Sequence, residues 1–395
     1  MKLRAACLLL ALVASLAGCA SVAPDPPLTV EEILLRAKPA VTLLTTSVAA
    51  DVQVDCEGEV RRVTMPAFEE TGTAWFIDPN GFLITNAHVV QQAYAPTAWL
   101  KTDFADRAAE AACVPVWLER LKVTAGERPD VEERLRLKAR EAVAPSATVT
   151  LHPEVHVVLS NGTRLPVEVS KYTPPLTVNP DSPAGQDLAL LKLTGRDYPV
   201  LPLANSDTVL IGEPIHVLGY PGVVLTHELL NASARVESSV TNGAVSGFKQ
   251  DIAGQTVLQT DASAAWGDSG GPAVNAGGEV AGVLTFISLA PGRDGGIVQG
   301  FNFVIPSNAV RKFVHGTDVV LGAESRFNTA WWAGLRAFFR QRFGSAATNF
   351  EESERILPGL PDVKRMREDA AWFLGLSRKQ SAPPPGPPAL PATAP

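Results

Sequence analysis

The run Trp266-Gly267-Asp268-Ser269-Gly270-Gly271-Pro272 sets one serine among three glycines. A serine hydroxyl is a weak nucleophile at neutral pH. The run therefore has chemical meaning only if the chain also supplies a general base, an acid that orients the base, and donors for a developing oxyanion. Side chains that titrate near neutrality are histidines, and the six are His88, His152, His156, His216, His227 and His315. His88 stands out, because it closes the apolar run Gly81-Phe82-Leu83-Ile84-Thr85 behind the small Asn86 and Ala87, where an imidazole can emerge at a strand end. Asp187 stands directly before the strongly apolar Leu188-Ala189-Leu190-Leu191 and is the candidate for a buried acid that fixes the imidazole tautomer. Each has a plainer reading alone: a core histidine, a turn aspartate, a glycine-rich turn. Other spacings carry less. His152 and His156 are spaced as a helical zinc pair, but Pro153 and the strand-like Val155-His156-Val157-Val158 argue against a helix there, and no metal or cofactor set is read.

The elements that must position these groups are mostly strands. Short β-rich runs begin at Val41 and recur through Phe303, and Asp78-Pro79-Asn80-Gly81, Asn161-Gly162 and Asn275-Ala276-Gly277-Gly278 are hairpin turns between them. The pattern predicts an all-β body of about a dozen strands, a barrel or sandwich signature. A charged helical insertion over about residues 92–145 interrupts it, with Leu135 and Ala139 at i, i+4. Its place shortly after His88 suggests a cover for a cleft. A second helical stretch, residues 326–345, puts Trp331, Leu335, Phe338 and Phe339 on one face and arginines on another, which suits docking on the body or lying in a membrane interface. Thr29 with Glu32 reads as the capping box of a short helix that Pro39 stops. The tail, residues 381–395, is Pro-rich and reads as disordered.

With 395 residues and 46% hydrophobic content the chain can bury two medium cores. A net charge of -7 excludes nucleic acid as the main partner, since phosphate binding needs concentrated Lys and Arg.

The N-terminus reads as an address: Lys2 and Arg4, an apolar run from Cys7 to Leu16, then small residues, too short for a stable membrane span. Leu16-Ala17-Gly18-Cys19 resembles the lipobox of bacterial lipoproteins, which implies removal of residues 1–18 and acylation of Cys19. A tether would follow over residues 19–28. Ala20 after the cysteine implies sorting to the outer membrane, facing the periplasm, in a Gram-negative host. Export would leave Cys56 and Cys113 where disulfides persist, and they are expected to pair.

In the order His88, Asp187, Ser269, together with Gly72-Thr73-Ala74-Trp75-Phe76-Ile77, Leu218-Gly219-Tyr220-Pro221-Gly222 and Gly300-Phe301-Asn302-Phe303-Val304-Ile305-Pro306, the chain resembles the trypsin-like serine proteases, most closely their bacterial HtrA/Deg branch. The resemblance covers about residues 29–314 outside the insertion. It implies two six-stranded antiparallel β-barrels, over residues 29–200 and 201–315; beyond them the chain itself reads as a helical extension over 316–380. It implies His88 as general base, Asp187 as its orienting acid, Ser269 as nucleophile, and an oxyanion hole from the Gly267 and Ser269 amides. Ser263 would stand at the base of the primary specificity pocket, uncharged, with Thr285 and Phe286 in its walls, favouring small or medium apolar side chains. The chain departs from the branch at Asp268, where Asn is usual, at Trp266, and after Val314, where no PDZ module is read. The expected function is a lipid-anchored serine endopeptidase of the cell envelope acting on polypeptides, exported or misfolded, with homo-oligomers as in the branch. The alternative is a protease-fold binding or chaperone-like module with little proteolysis.

Overall fold

The computed structural model describes residues 27–177, 185–286, 288–289 and 297–381. The expected leader, Cys19, most of the expected tether and nearly all of the Pro-rich tail lie outside the described residues. Helix α1 (Val30–Ala37) opens the described chain. Thr29 Oγ1 accepts the Glu32 amide at 3.1 Å, and Pro39 lies in the 3-10 turn that follows.

The N-terminal unit then runs β1 (Val41–Asp55), β2 (Val60–Asp78), β3 (Phe82–Thr85), α2 (Ala87–Tyr94), α3 (Ala98–Leu121), α4 (Pro129–Lys138), β4 (Thr148–Val158), β5 (Arg164–Pro166), β6 (Glu168–Thr173) and β7 (Leu188–Lys192). Its strands form one sheet in the order β5-β4-β1-β2-β3-β7-β6. The unit thus has seven strands and open ends at β5 and β6, a half-barrel where a six-stranded closed barrel was expected.

The reason lies in β1 and β2, which run 15 and 19 residues and reach far beyond the body. Along their outer part Val48, Ala50, Val52 and Val54 are buried while Asp51, Gln53 and Asp55 are exposed, the alternation of a sheet covered on one face. The cover is α3, whose Leu100, Phe104, Ala108 and Trp117 pack on those valines. Cys56 at the end of β1 and Cys113 on α3 form a disulfide, Cα to Cα 5.2 Å. The helical insertion is therefore a second small core on an extended hairpin.

The C-terminal unit comprises β8 (Pro214–Gly219), α5 (Gly222–Leu225), α6 (Ala232–Arg235), β9 (Ser239–Gln250), β10 (Thr256–Thr260), β11 (Pro272–Asn275), β12 (Val280–Leu284), β13 (Ser288–Leu289), β14 (Ile297–Val298) and β15 (Asn302–Pro306). Six of these close into a barrel, β10-β15-β12-β11-β8-β9, while β13 and β14 pair apart. Between the two units lies a shared core in which Trp75, Ile84 and Leu190 meet Leu218, Tyr220 and Val283. Burying each such side chain contributes on the order of 1.5–3 kcal/mol, so the two halves are held as one body.

Four helices follow: α7 (Ser307–Val314), α8 (Arg326–Phe339), α9 (Phe343–Ile356) and α10 (Pro361–Ser381). The apolar stripe of α8 is docked inside the protein. Trp331 and Leu335 are buried with Leu35 of α1, Phe350 of α9 and Val363 of α10, and Trp331 Nε1 donates to Leu35 O at 2.7 Å. Asn328 ties the same helix to both the N–H and the C=O of Val200. A membrane role for the Trp331–Leu335 face is thereby removed.

Candidate active site

His88 does not sit at a strand end. β3 stops at Thr85, Asn86 takes an extended conformation, and His88 falls in the first turn of α2. Asn86 Nδ2 donates to Asp187 O at 2.9 Å, which brings the loop before β7 against the start of the helix. Asp187 has φ +52°, a left-handed conformation that aspartate tolerates better than most residues. It is held there by its own amide, which donates to Pro174 O at 3.1 Å, and by three donors to its carboxylate. The His88 amide reaches Oδ1 at 2.9 Å, His88 Nδ1 reaches Oδ2 at 2.8 Å, and Thr285 Oγ1 reaches Oδ2 at 2.7 Å.

The carboxylate is 4% exposed and the imidazole half-buried. With Nδ1 committed to Asp187, Nε2 is left as the basic nitrogen. Burial pulls the imidazole pKa down, but the charge and hydrogen bond of Asp187 and the charge of Glu70 outweigh it, and the net direction is up. The site therefore stabilises the charged imidazole more than water does.

Ser269 approaches from the C-terminal barrel, in the loop before β11. Its carbonyl accepts the Thr73 amide at 2.8 Å, and its Oγ lies 3.4 Å from Thr285 O, a long contact for a hydroxyl. Among the described residues Ser269 Oγ makes no hydrogen bond to His88. Thr285 thus links acid and nucleophile, its hydroxyl on Asp187 and its carbonyl on Ser269.

The amides expected to meet an oxyanion are set by the peptide before Gly267. Trp266 O accepts the Gly222 amide at 2.6 Å. Because the peptide is trans, the Gly267 N–H points the opposite way. Gly267 has φ +99°, and a Cβ there would stand 2.3 Å from Tyr220 O, so no other residue fits. Its carbonyl accepts Thr73 Oγ1 at 2.8 Å, and the same hydroxyl accepts the Tyr220 amide at 3.0 Å. Among the described residues neither the Gly267 nor the Ser269 amide has an acceptor, which leaves both N–H groups available to a developing anion.

Asp268 is 4% exposed and among the described residues has no cation beside it; Oδ2 accepts the Ala265 amide at 2.9 Å, and burial pushes the carboxyl up to about 6. Trp266 stands 65% exposed. A cleft of about 660 Å³ opens beside the dyad, lined by His88, Leu176, Ile252, Thr285, Phe286 and Phe303, with the two phenylalanine rings stacked 4.6 Å apart. Ser263, expected at a pocket base, is exposed, outside the described lining of this cleft, and its carbonyl accepts Thr241 Oγ1 at 2.7 Å. No residue of α3 or α4 lines the cleft, so the insertion does not cover it in this structure.

Two contributors escaped sequence reasoning. Thr73 lies in a run that carries the family resemblance, but nothing in the run assigns the threonine a role, which depends on the two units meeting. Glu70 lies on the same strand and carries a charge felt by His88, with no motif around it.

A family model for the trypsin-like peptidase domain matches residues 72–283, more than half of the chain. A probable periplasmic serine endoprotease DegP-like of Pseudomonas savastanoi pv. phaseolicola is 35% identical over 123 residues, 30% of this chain and 22% of that protein. Serine endoprotease DegS of Salmonella typhimurium is 32% identical over 132 residues, 32% of this chain and 34% of that protein. Serine protease HTRA4 of Homo sapiens is 32% identical over 211 residues, 53% of this chain and 38% of that protein. The chain thus spans between about a fifth and two fifths of the length of these relatives. The solved HtrA-type protease AlgW with decapeptide has 21% identity and a TM-score of 0.42, covering 72% of this chain and 66% of its own. With the glycine-framed serine, the oriented histidine and the family match in agreement, the chain belongs to the trypsin-like peptidase family.

Proposed function

We propose that this protein is a serine endopeptidase that cleaves polypeptides through an acyl-enzyme. The observation that carries the reading is the His88–Asp187 pair, its carboxylate held by three donors, beside the Ser269 loop whose carbonyl Thr73 of the same unit anchors. A rotation of the Ser269 side chain toward His88 Nε2 completes the set, a tightening that unliganded sites commonly await. His88 takes the Ser269 proton as Oγ attacks the scissile carbonyl, and the Gly267 and Ser269 amides receive the oxyanion. His88 then returns the proton to the leaving amine. Water, deprotonated by the same nitrogen, releases the acyl group. Asp187 stays ionised throughout and stabilises the imidazolium.

The site of action we propose is the cell envelope, with Cys19 as lipid anchor in the outer membrane and exported or misfolded chains as substrates. The periplasmic naming of relatives and the Cys56–Cys113 bond, which suits an oxidising compartment, support it. Purified protein is expected to degrade an unfolded protein such as reduced casein, and Ser269→Ala to abolish this. Equal degradation by the variant would exclude the reading.

A second reading, a binding module on a protease fold, is favoured by one feature, the Ser269 hydroxyl lying on Thr285 O instead of on His88. Casein bound but left intact at every pH from 6 to 9 would favour it.

A further inference from the structure

A carboxyl group stands beside the dyad that the chemistry above does not use. Glu70 lies on β2 opposite Thr46 of β1, in a stretch of regular register that runs through Gly72. Residues two apart on a strand share a face. That face is fixed by its neighbours. A Cβ on Gly72 would stand 2.5 Å from Val89 Cγ1 and 3.2 Å from Ser269 O, and Thr46, the cross-strand partner of Glu70, donates Oγ1 to Val89 O at 2.8 Å. Glu70 therefore faces the start of α2, about 7 Å along β2 from the point where the strand touches the nucleophile loop.

The electrostatics agree with this placement. The Glu70 charge raises His88, while burial first, and the charge of Asp187 after it, push Glu70 up to about 7 against the pull of His88. Glu70 is half-buried, and among the described residues no lysine, arginine or hydrogen-bond donor meets its carboxyl. A partly desolvated carboxylate without a partner is costly, and an incoming cation would offset that cost.

The two flanks of Ser269 differ. On one, its Oγ meets Thr285 O, next to the apolar cleft with Phe286 and Phe303; on the other, its carbonyl meets Thr73 of β2. An extended polypeptide crossing Ser269 with one flank in the apolar cleft lays the other along β2. We propose that Glu70 forms an acidic subsite on the β2 flank of the nucleophile, taking a lysine or arginine side chain of the substrate across the scissile bond from the residue held in the Phe286–Phe303 cleft.

The inference rests on the protease reading, and the experiment separates the two. The full-length protein digests a peptide library derived from an unfolded proteome, and residues on both sides of each cut are counted. Wild type is expected to enrich Lys and Arg on one side of the cut, within the first two positions, by about tenfold over Gln, the size of one partly desolvated charge pair. Glu70→Gln is expected to lose that enrichment. Glu70→Lys is expected to replace it with Asp and Glu, a gain that misfolding cannot produce. A wild type that cleaves without basic enrichment, or a Glu70→Gln variant that keeps it, overturns the subsite and leaves the protease standing. A wild type whose Ser269 neither cleaves nor reacts with a fluorophosphonate brings down both.

Discussion

The two halves of the molecule divide the work unequally. The N-terminal unit is the elaborated one, a half-barrel of seven strands with a hairpin extended into a disulfide-bound helical annex, and it carries His88 and Asp187, the proposed base and its acid. The C-terminal barrel is closed, and it carries the loop of Ser269, the proposed nucleophile. Elaboration is therefore tolerated on the side that contributes side chains from a helix and a strand start. The side whose backbone amides would be aimed keeps a closed barrel. The point of contact is Thr73, which reaches from the first unit to set the Gly267 carbonyl and the Ser269 carbonyl of the second.

If annex and chemistry are separable, breaking the annex should cost stability without costing catalysis. Replacing Cys113 by Ala together with Cys56 by Ala opens a crosslink spanning 57 residues, and chain entropy puts the loss at about 4 kcal/mol. Urea unfolding is expected to show it, with kcat/KM of the folded enzyme unchanged. A fall in kcat/KM would mean the annex acts on the cleft.

The barrel side should show the reverse. Gly267→Ala forces a Cβ onto Tyr220 O, and loss of the aimed amide is expected to lower kcat by about 10² to 10³. KM should change little. The seam between the units sharpens the contrast further. Thr73→Val leaves the Gly267 carbonyl and the Tyr220 amide without their hydroxyl partner, and one unmet buried group costs about 1–3 kcal/mol. That loss should fall on kcat, and Thr73→Ser should restore it.

The smallest effect is expected at Asp268. Its carboxyl is raised from 3.8 to about 6 by burial, so the folded state holds its proton more tightly than the unfolded one. Stability from this group is present below pH 4 and is lost as pH rises through 6. Asp268→Asn, which keeps an acceptor for the Ala265 amide, is expected to raise the thermal midpoint at pH 8 by at most the equivalent of about 3 kcal/mol and to leave it unchanged at pH 4.

The motif around Ser269 was legible because tight turns and aimed amides demand glycine, and glycine leaves a mark in sequence. His88 and Asp187 were legible as types bordering apolar runs. Their settings were not: the helix start under His88 and the left-handed backbone of Asp187 are imposed by contacts about a hundred residues away, Asn86 to Asp187 O and Thr285 to Asp187 Oδ2. Thr73 and Glu70 were invisible for a related reason. Both sit on a strand whose pattern assigns neither side chain a role, and their chemistry comes from what the second unit or α2 places opposite them. The open N-terminal sheet was missed because apolar alternation in β1 runs on without a break from the body into the annex. The pattern does not distinguish a strand covered by a barrel from one covered by a helix.

The central claim is that a base and an acid from one unit activate a serine in the other. A fluorophosphonate adduct mapped by mass spectrometry tests it directly. The account predicts a single modified residue, Ser269, with labelling lost in Ser269→Ala and strongly slowed in His88→Ala. An adduct elsewhere, or labelling of Ser269 at an unchanged rate without His88, would contradict it.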